Sequence, residues 1–275
     1  MKTLVAIVFF IISMQTSAQD YTKNKIPCEP VVYPIQFYYV HNHPLLGQRD
    51  GSFLTQIKDT LNNYFKPMCI QFQICKIDTI IDYNYFVLDD DQNTNERNDI
   101  RAMYYNPKAI NIYWLNLNPP GGITESFLGL CDEKNKKPYI FTVYANFQAP
   151  SKTSICVQLY RYFGLDYTAS YPSSAEFVNG TNSLVTADSI WDTPADPGFL
   201  NFPSPDTFTM PQVPPGISYV YTNRKDPNGD FYNPMVLNPM SIYNLNQKQA
   251  WLTHEQNQKI ILNERKCRKR FWGLE

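Results

Sequence analysis

The chain is short of histidine. Its 275 residues hold three, His41, His43 and His254. A catalytic zinc usually takes three protein ligands, so a site built of histidine alone would need all three of them together. His41 and His43 stand two apart, on one face of an expected strand, but Asn42 and Pro44 follow at once and no third ligand is visible nearby. Excess charge is also missing: 24 basic residues against 25 acidic ones give a net charge of −1. That excludes the strongly basic surface that nucleic acid or an anionic membrane selects. The one basic block, Arg265–Arg270, closes an expected helix, where it complements the helix dipole. No Cys-x-x-Cys occurs, which argues against a zinc knuckle or a thioredoxin-type site. Beyond the first residues no run is long and apolar enough to span a membrane, and there is no internal repeat or low-complexity tract.

What is present begins with a secretory pattern. Residues 1–18 read as a signal peptide: Lys2 is the positive start, Leu4 to Met14 is a short apolar run, and Thr16-Ser17-Ala18 is a small-residue cleavage site. The expectation is a secreted, periplasmic or extracellular protein. No Cys follows the cleavage site directly, so no lipid anchor is expected there. Six cysteines lie in the mature chain, at 28, 69, 75, 131, 156 and 267. An even count in an exported chain suggests disulfides, with fifteen full pairings open. Cys156 has no histidine near it in sequence and reads as buried or bridged rather than catalytic.

Residues 19–30 are polar with two prolines and read as a surface leader. Val31 to His43 alternates like a strand. Ser52 is placed to cap a helix whose Phe53, Leu54, Ile57, Leu61 and Phe65 share a face, and Pro67 ends it. Two strands are expected next, Ile70–Ile74 and Ile77–Val87. The run Asp89 to Glu96 lacks the Gly and Glu of an EF-hand loop and reads as solvated. Asp99 to Tyr104 can form a helix, Ala109 to Asn116 a strand, Pro119 to Gly122 a turn, and Tyr139 to Tyr144 another strand. From 169 to 235 the chain is rich in Pro, Asn, Asp and Ser, yet Trp191, Phe199, Phe202, Tyr219 and Tyr221 keep it from reading as disordered. Asn179-Gly180-Thr181 is a glycosylation sequon by pattern. Asn238-Pro239-Met240-Ser241 is a tight turn. A last helix begins at Thr253, with Gln256 completing a capping box.

The organising stretch is Ser154 to Thr168. Ile155, Leu159, Tyr162 and Phe163 recur at helical spacing, and Gly164 stands where a left-handed cap would end the helix. With Tyr105-Asn106-Pro107 and Ile110 to Trp114, Tyr162 to Leu165, Phe177 to Gly180, Asp192-Thr193-Pro194-Ala195-Asp196-Pro197, Asp226 to Asp230, Tyr232-Asn233-Pro234 and the turn at Met240, it makes a series of blocks in order. In that combination the chain resembles the pappalysin family of metzincin metallopeptidases, across roughly residues 30–265. The resemblance implies an α+β fold: a twisted mixed sheet with this helix packed beneath it and a backing helix (residues 31–168), then an irregular half with a Met-turn and a final helix (169–275). It implies a cleft between the halves, floored by Met240, with Ile242 where relatives have a Tyr.

The same resemblance exposes what is gone. With Gly164 as anchor, the two helix ligands of a zinc site fall on Val157 and Arg161, the general base on Gln158 and the third ligand on Tyr167. Valine has no lone pair to give, and glutamine takes no proton near neutral pH. Arginine is always charged and never ligates. A divalent ion about 4 Å from that guanidinium would meet roughly 8 kcal/mol of repulsion at an effective dielectric of ~20. Asp166 is one residue out of register, and Trp191 replaces the cysteine that precedes Asp-Thr-Pro in relatives. No metal and no cofactor are therefore expected. The expected function is that of a non-catalytic relative binding a protein or peptide in the former cleft, with Arg161 able to hold a carboxylate. The alternatives are an active zinc endopeptidase, which would need zinc, and a purely structural or decaying copy.

Overall fold

The computed structural model describes residues 26–41, 51–82, 94–117, 126–128, 130, 139–145, 152–169, 175–197, 225–235, 238–241 and 251–272. The signal peptide, most of the leader, His43, residues 83–87, Asp89 to Asn93, Pro119 to Gly122, Cys131, Phe199, Phe202, Tyr219, Tyr221 and Ile242 lie outside the described residues.

The fold is mixed α+β. Its centre is strand β1, Val31–His41, in which Tyr33 and every residue from Ile35 to Val40 but none of the ends is buried. Only a strand covered on both faces reads so continuously apolar, as parallel sheets require. β1 pairs in parallel with β2, Ile70–Ile81, and with β3, Ile110–Leu117. β3 pairs in parallel with β5, Tyr139–Ala145, and β5 pairs antiparallel with the short β4, Ser126–Leu128. The sheet order is β2-β1-β3-β5-β4.

Two expectations change at β2. The pair Ile70–Ile74 and Ile77–Val87 is one strand over the described residues, because a bulge absorbs the break in pattern. Ile35 faces Ile74 and Gln36 faces Lys76, so Cys75 is the extra residue, and its thiol donates to the Ile35 carbonyl at 3.3 Å. The helix expected at Asp99 begins earlier: α2 spans Thr94–Tyr104, so the tail of the acidic run is helical and not loop.

Helix α1, Gly51–Phe65, begins one residue before the expected cap at Ser52 and buries Leu54, Ile57, Leu61 and Phe65 as one stripe. A 3-10 turn at Lys66–Met68 follows, with Pro67 in its first positions, and Cys69 beyond it takes a left-handed φ of 58°. Cys69 is bridged to Cys28, which ties the segment before β1 to the start of β2. Cys267 is also disulfide-bonded, while Cys75 and Cys156 are not in disulfides.

Helix α3, Lys152–Tyr162, packs on α1 and the sheet. Its Tyr160 ring stacks on Phe65 with centroids 4.6 Å apart, and Phe65 meets Phe72 edge-on at 4.9 Å. Phe163 reaches Tyr33 of β1 at 5.6 Å. These aromatic contacts weld helix to sheet and hold the last turn of α3 in a fixed place. The final helix α4, His254–Phe271, covers the same core from the other end through Ile260, Ile261 and Phe271. Its start is the expected capping box: the Thr253 N–H donates to Gln256 Oε1 at 3.0 Å and the Gln256 N–H to Thr253 Oγ1 at 3.3 Å. Among the described residues no helix is long and apolar enough to cross a membrane.

Candidate functional site

The site is made by the way α3 stops. Gly164 has φ +89°, open to glycine at little cost. Its N–H donates to the Arg161 carbonyl at 2.8 Å, and the Leu165 N–H donates to the Tyr160 carbonyl at 3.1 Å. This is the paired closure of a Schellman motif, with buried Leu165 and Tyr160 as its apolar partners. The chain then doubles back, so residues six apart in sequence meet. The Arg161 guanidinium carbon lies 4.6 Å from the centre of the Tyr167 ring, and Nη1 is 3.5 Å from the phenolic oxygen. That hydrogen bond is at the long limit, so the face-on cation–ring attraction is the main contact.

Val157 lies one turn before Arg161 on the same helix face, and both are half-buried. Gln158 beside them is fully buried, and among the described residues neither its amide nitrogen nor its amide oxygen has a hydrogen-bond partner. Such a group costs about 1–3 kcal/mol in a folded protein. On the other side of the turn, Met240 is fully buried. Its N–H is held by Asn238 Oδ1 at 2.8 Å, and its carbonyl accepts the Thr168 N–H at 3.0 Å. The turn at Met240 is thus fixed to the residue that follows Tyr167.

A second layer supports this junction, and composition had hidden it. Asp196, fully buried, accepts from Thr168 Oγ1 at 3.0 Å and Ser241 Oγ at 3.3 Å. Asp188, also buried, accepts from the Ile190 N–H at 3.1 Å, Thr193 Oγ1 at 2.9 Å and Gln256 Nε2 at 3.2 Å. Gln256 Oε1 in turn accepts from Asn238 Nδ2 at 2.7 Å. Glu176 is buried near both aspartates; desolvation, then the charge of Asp188, pushes its carboxyl up to about 8. Desolvation raises Asp188 to about 6 against the pull of its donors. These acids sit in the segment 169–235, rich in Pro, Asn, Asp and Ser. Of the three, only Asp196 lies in the Asp192-Thr193-Pro194-Ala195-Asp196 block that the sequence singles out, and Thr193 of that block donates to Asp188 outside it.

Chemically, Val157, Gln158, Arg161 and Tyr167 do not fit zinc. A hydrocarbon and a permanent cation hold two of the three ligand positions that the resemblance implies. Among the described residues no group of three or more His, Cys, Asp or Glu is placed to hold a metal ion. Cys156 offers no nucleophile, because full burial pushes its thiol far above the ordinary range. His41 ends β1, and His254 opens α4. The arrangement can bind: a delocalised cation on an aromatic face, a phenol and an unmatched amide.

No family model matches the chain, and no curated protein matches it. Among solved structures, mature mirolysin of Tannerella forsythia in complex with a cleaved peptide matches with a TM-score of 0.55 at 13% identity, over 85% of this chain and 91% of that one. A chaperone–substrate complex matches with a TM-score of 0.34 at 13% identity, over 54% of this chain and 25% of that one, too weak a likeness to carry an argument. The chain therefore shares its fold with mirolysin, and at this identity the likeness is one of fold alone.

Proposed function

We propose that the protein is an exported, pappalysin-like relative of the metzincin peptidases that has exchanged its zinc site for a binding site, and that it takes a protein or peptide in the former cleft without cleaving it. The observation that carries this reading is the Arg161–Tyr167 stack: a guanidinium stands on the ring of the residue aligned with the third metal ligand. A cation in that place repels a metal ion and attracts an anion. The likeness of fold to mirolysin, whose structure holds a cleaved peptide, supports an extended chain as the ligand. Main-chain pairing along a sheet edge does not need a metal, so loss of catalysis leaves such binding intact.

The test is metal analysis of the purified chain after dialysis against zinc, with a peptide-cleavage assay beside it. The expected result is no retained zinc and no cleavage that a chelator abolishes. One tightly held zinc per chain with chelator-sensitive cleavage would falsify the reading and restore an active endopeptidase.

A further inference from the structure

We infer that the outer edge of β2, from Ile77 to Ile81, pairs antiparallel with the same edge of a second copy of this chain, about a two-fold axis at Thr79.

β2 lies at one edge of the described sheet. Hydrogen bonds fix which way its peptide groups point. The Cys69 carbonyl accepts the Val31 N–H at 3.0 Å, and the Asp82 N–H donates to the His41 carbonyl at 2.9 Å, so both ends face β1. Phe72 faces away. Its N–H donates to Asn62 Oδ1 of α1 at 2.7 Å, and its carbonyl accepts from Asn62 Nδ2 at 3.2 Å. Peptide groups alternate in direction along a strand. With Asp82 turned inward, Asp78 and Ile80 turn inward too, and Ile77, Thr79 and Ile81 turn outward. Asn62 closes the edge before the bulge at Cys75, and beyond the bulge no group among the described residues does the same. The Ile77 and Ile81 side chains are 47% and 52% exposed, and Thr79 between them is exposed as well. Such a row of peptide groups beside apolar side chains is a template for a further strand.

The residues along the edge say which strand. About Thr79, Ile77 faces Ile81 of the second copy, Thr79 faces Thr79, and Lys76 faces Asp82, each unlike pair occurring twice by symmetry. Lys76 already meets Asp78 at 2.8 Å. An ammonium has three N–H groups and a carboxylate several acceptor sites, so Lys76 and Asp82 can add this contact to those they hold. Neighbouring registers fail. An axis at Asp78 sets that acid against itself, and an axis at Ile80 sets it against Asp82. An axis at Ile77 sets Thr79 against the bulge at Cys75. A lysine on an edge keeps strands apart when it meets another lysine. Here the two-fold brings it an acid instead.

Sedimentation velocity of the purified chain over a concentration series tests this. The expected result is a reversible dimer that fills as concentration rises, and a monomer throughout overturns the inference. Lys76→Glu and Asp82→Lys should each weaken the dimer about tenfold, since each turns two attractive pairs into repulsive ones, and the double variant should recover it. Cross-linking reads the register. In a Cys75→Ser background, oxidised Thr79→Cys chains should join to one another, because hydrogen-bonded antiparallel partners stand about 5.5 Å apart at Cα, within a disulfide's span. Ile77→Cys should not join to itself across four residues, roughly 14 Å, but should join to Ile81→Cys in a mixture of the two. Thr79→Pro removes an outward N–H, which an edge strand tolerates, so it should abolish the dimer and leave the melting temperature near that of the parent. A dimer that survives Thr79→Pro, a double charge variant no stronger than the single ones, or Ile77→Cys chains that join as readily as Thr79→Cys chains would each place the contact elsewhere and overturn the inference.

Discussion

Tyr33 donates its hydroxyl to Glu264 Oε1 at 2.7 Å, joining the central strand to the final helix across 231 residues of sequence. The same carboxylate takes both ends of Arg268, Nε at 2.6 Å and Nη2 at 2.7 Å. Glu264 is almost wholly buried, and Tyr33 packs edge-on to Phe271 at 4.9 Å. Removing the acid would leave the phenol without its acceptor and the guanidinium with only Glu29 Oε2, at 3.1 Å from Nη1. Glu264→Ala should therefore cost about 3–5 kcal/mol in urea unfolding. Tyr33→Phe keeps the ring contacts and the arginine fork and should cost only about 1–2 kcal/mol. Equal costs for the two would mean that ring packing, and not the carboxylate, joins strand to helix.

Gly164 is tested by alanine. A Cβ there would strain a backbone at φ +89° and run into the Asn263 side-chain amide. That amide donates to the Phe163 carbonyl at 3.0 Å and closes α3 against α4. The left-handed strain costs about 1–2 kcal/mol by itself, and displacing Asn263 adds about 1 more. Gly164→Ala should lose roughly 2–3 kcal/mol, and about 1 kcal/mol of that should vanish in an Asn263→Ala background. Additive losses in the double variant would show that the two residues do not press on each other.

Much of α3 and α4 was legible because each carries its own signals. Apolar residues recur at helical spacing in both, Gly164 marks one end, and Thr253 with Gln256 marks a beginning. β2 was misread as two strands because Cys75 and Lys76 break the alternation. A bulge can absorb such a break, but only the pairing with β1 reveals it. β4 has three residues, too few for any period. The Arg161–Tyr167 contact was not legible either. The positions could be aligned, but whether a cation six residues before a tyrosine meets its ring depends on the turn between them. Least visible were Glu176, Asp188 and Asp196, since a polar, proline-rich stretch carries no mark that says which acids are buried.

Those acids predict how stability follows pH. Glu176 titrates at about 8 in the fold and Asp188 at about 6, against about 4.3 and 3.9 for free side chains. Between those values the folded chain holds more protons than the unfolded one. Unfolding free energy then falls as pH rises, here from about 4 to 8. The melting temperature should accordingly decline across that range. Glu176→Gln, neutral throughout, should flatten the decline and melt at least about 3 °C higher at pH 8. A parent chain whose stability climbs toward pH 8 would place these carboxyls in contact with water.

Gln256 is where the last helix, the Met240 turn and Asp188 meet, so its loss should be felt in all three. Its Oε1 takes the Thr253 N–H and Asn238 Nδ2, and its Nε2 gives to Asp188 Oδ2. Gln256→Ala removes the cap, frees Asn238 and strips a donor from a buried carboxylate. The expected cost is about 2–4 kcal/mol, against about 1 kcal/mol for Thr253→Ala, which removes only the cap. Gln256→Glu separates the contributions further. It keeps the two acceptor contacts of Oε1 but sets an oxygen against Asp188, so one of the two acids must hold a proton. Its stability should be close to that of the parent near pH 5 and fall away steeply by pH 8. Because Asn238 holds the turn that lines the Arg161 site, peptide retention should weaken with it over the same interval. Retention that stays constant while stability falls would show that the Met240 turn keeps its place without Gln256.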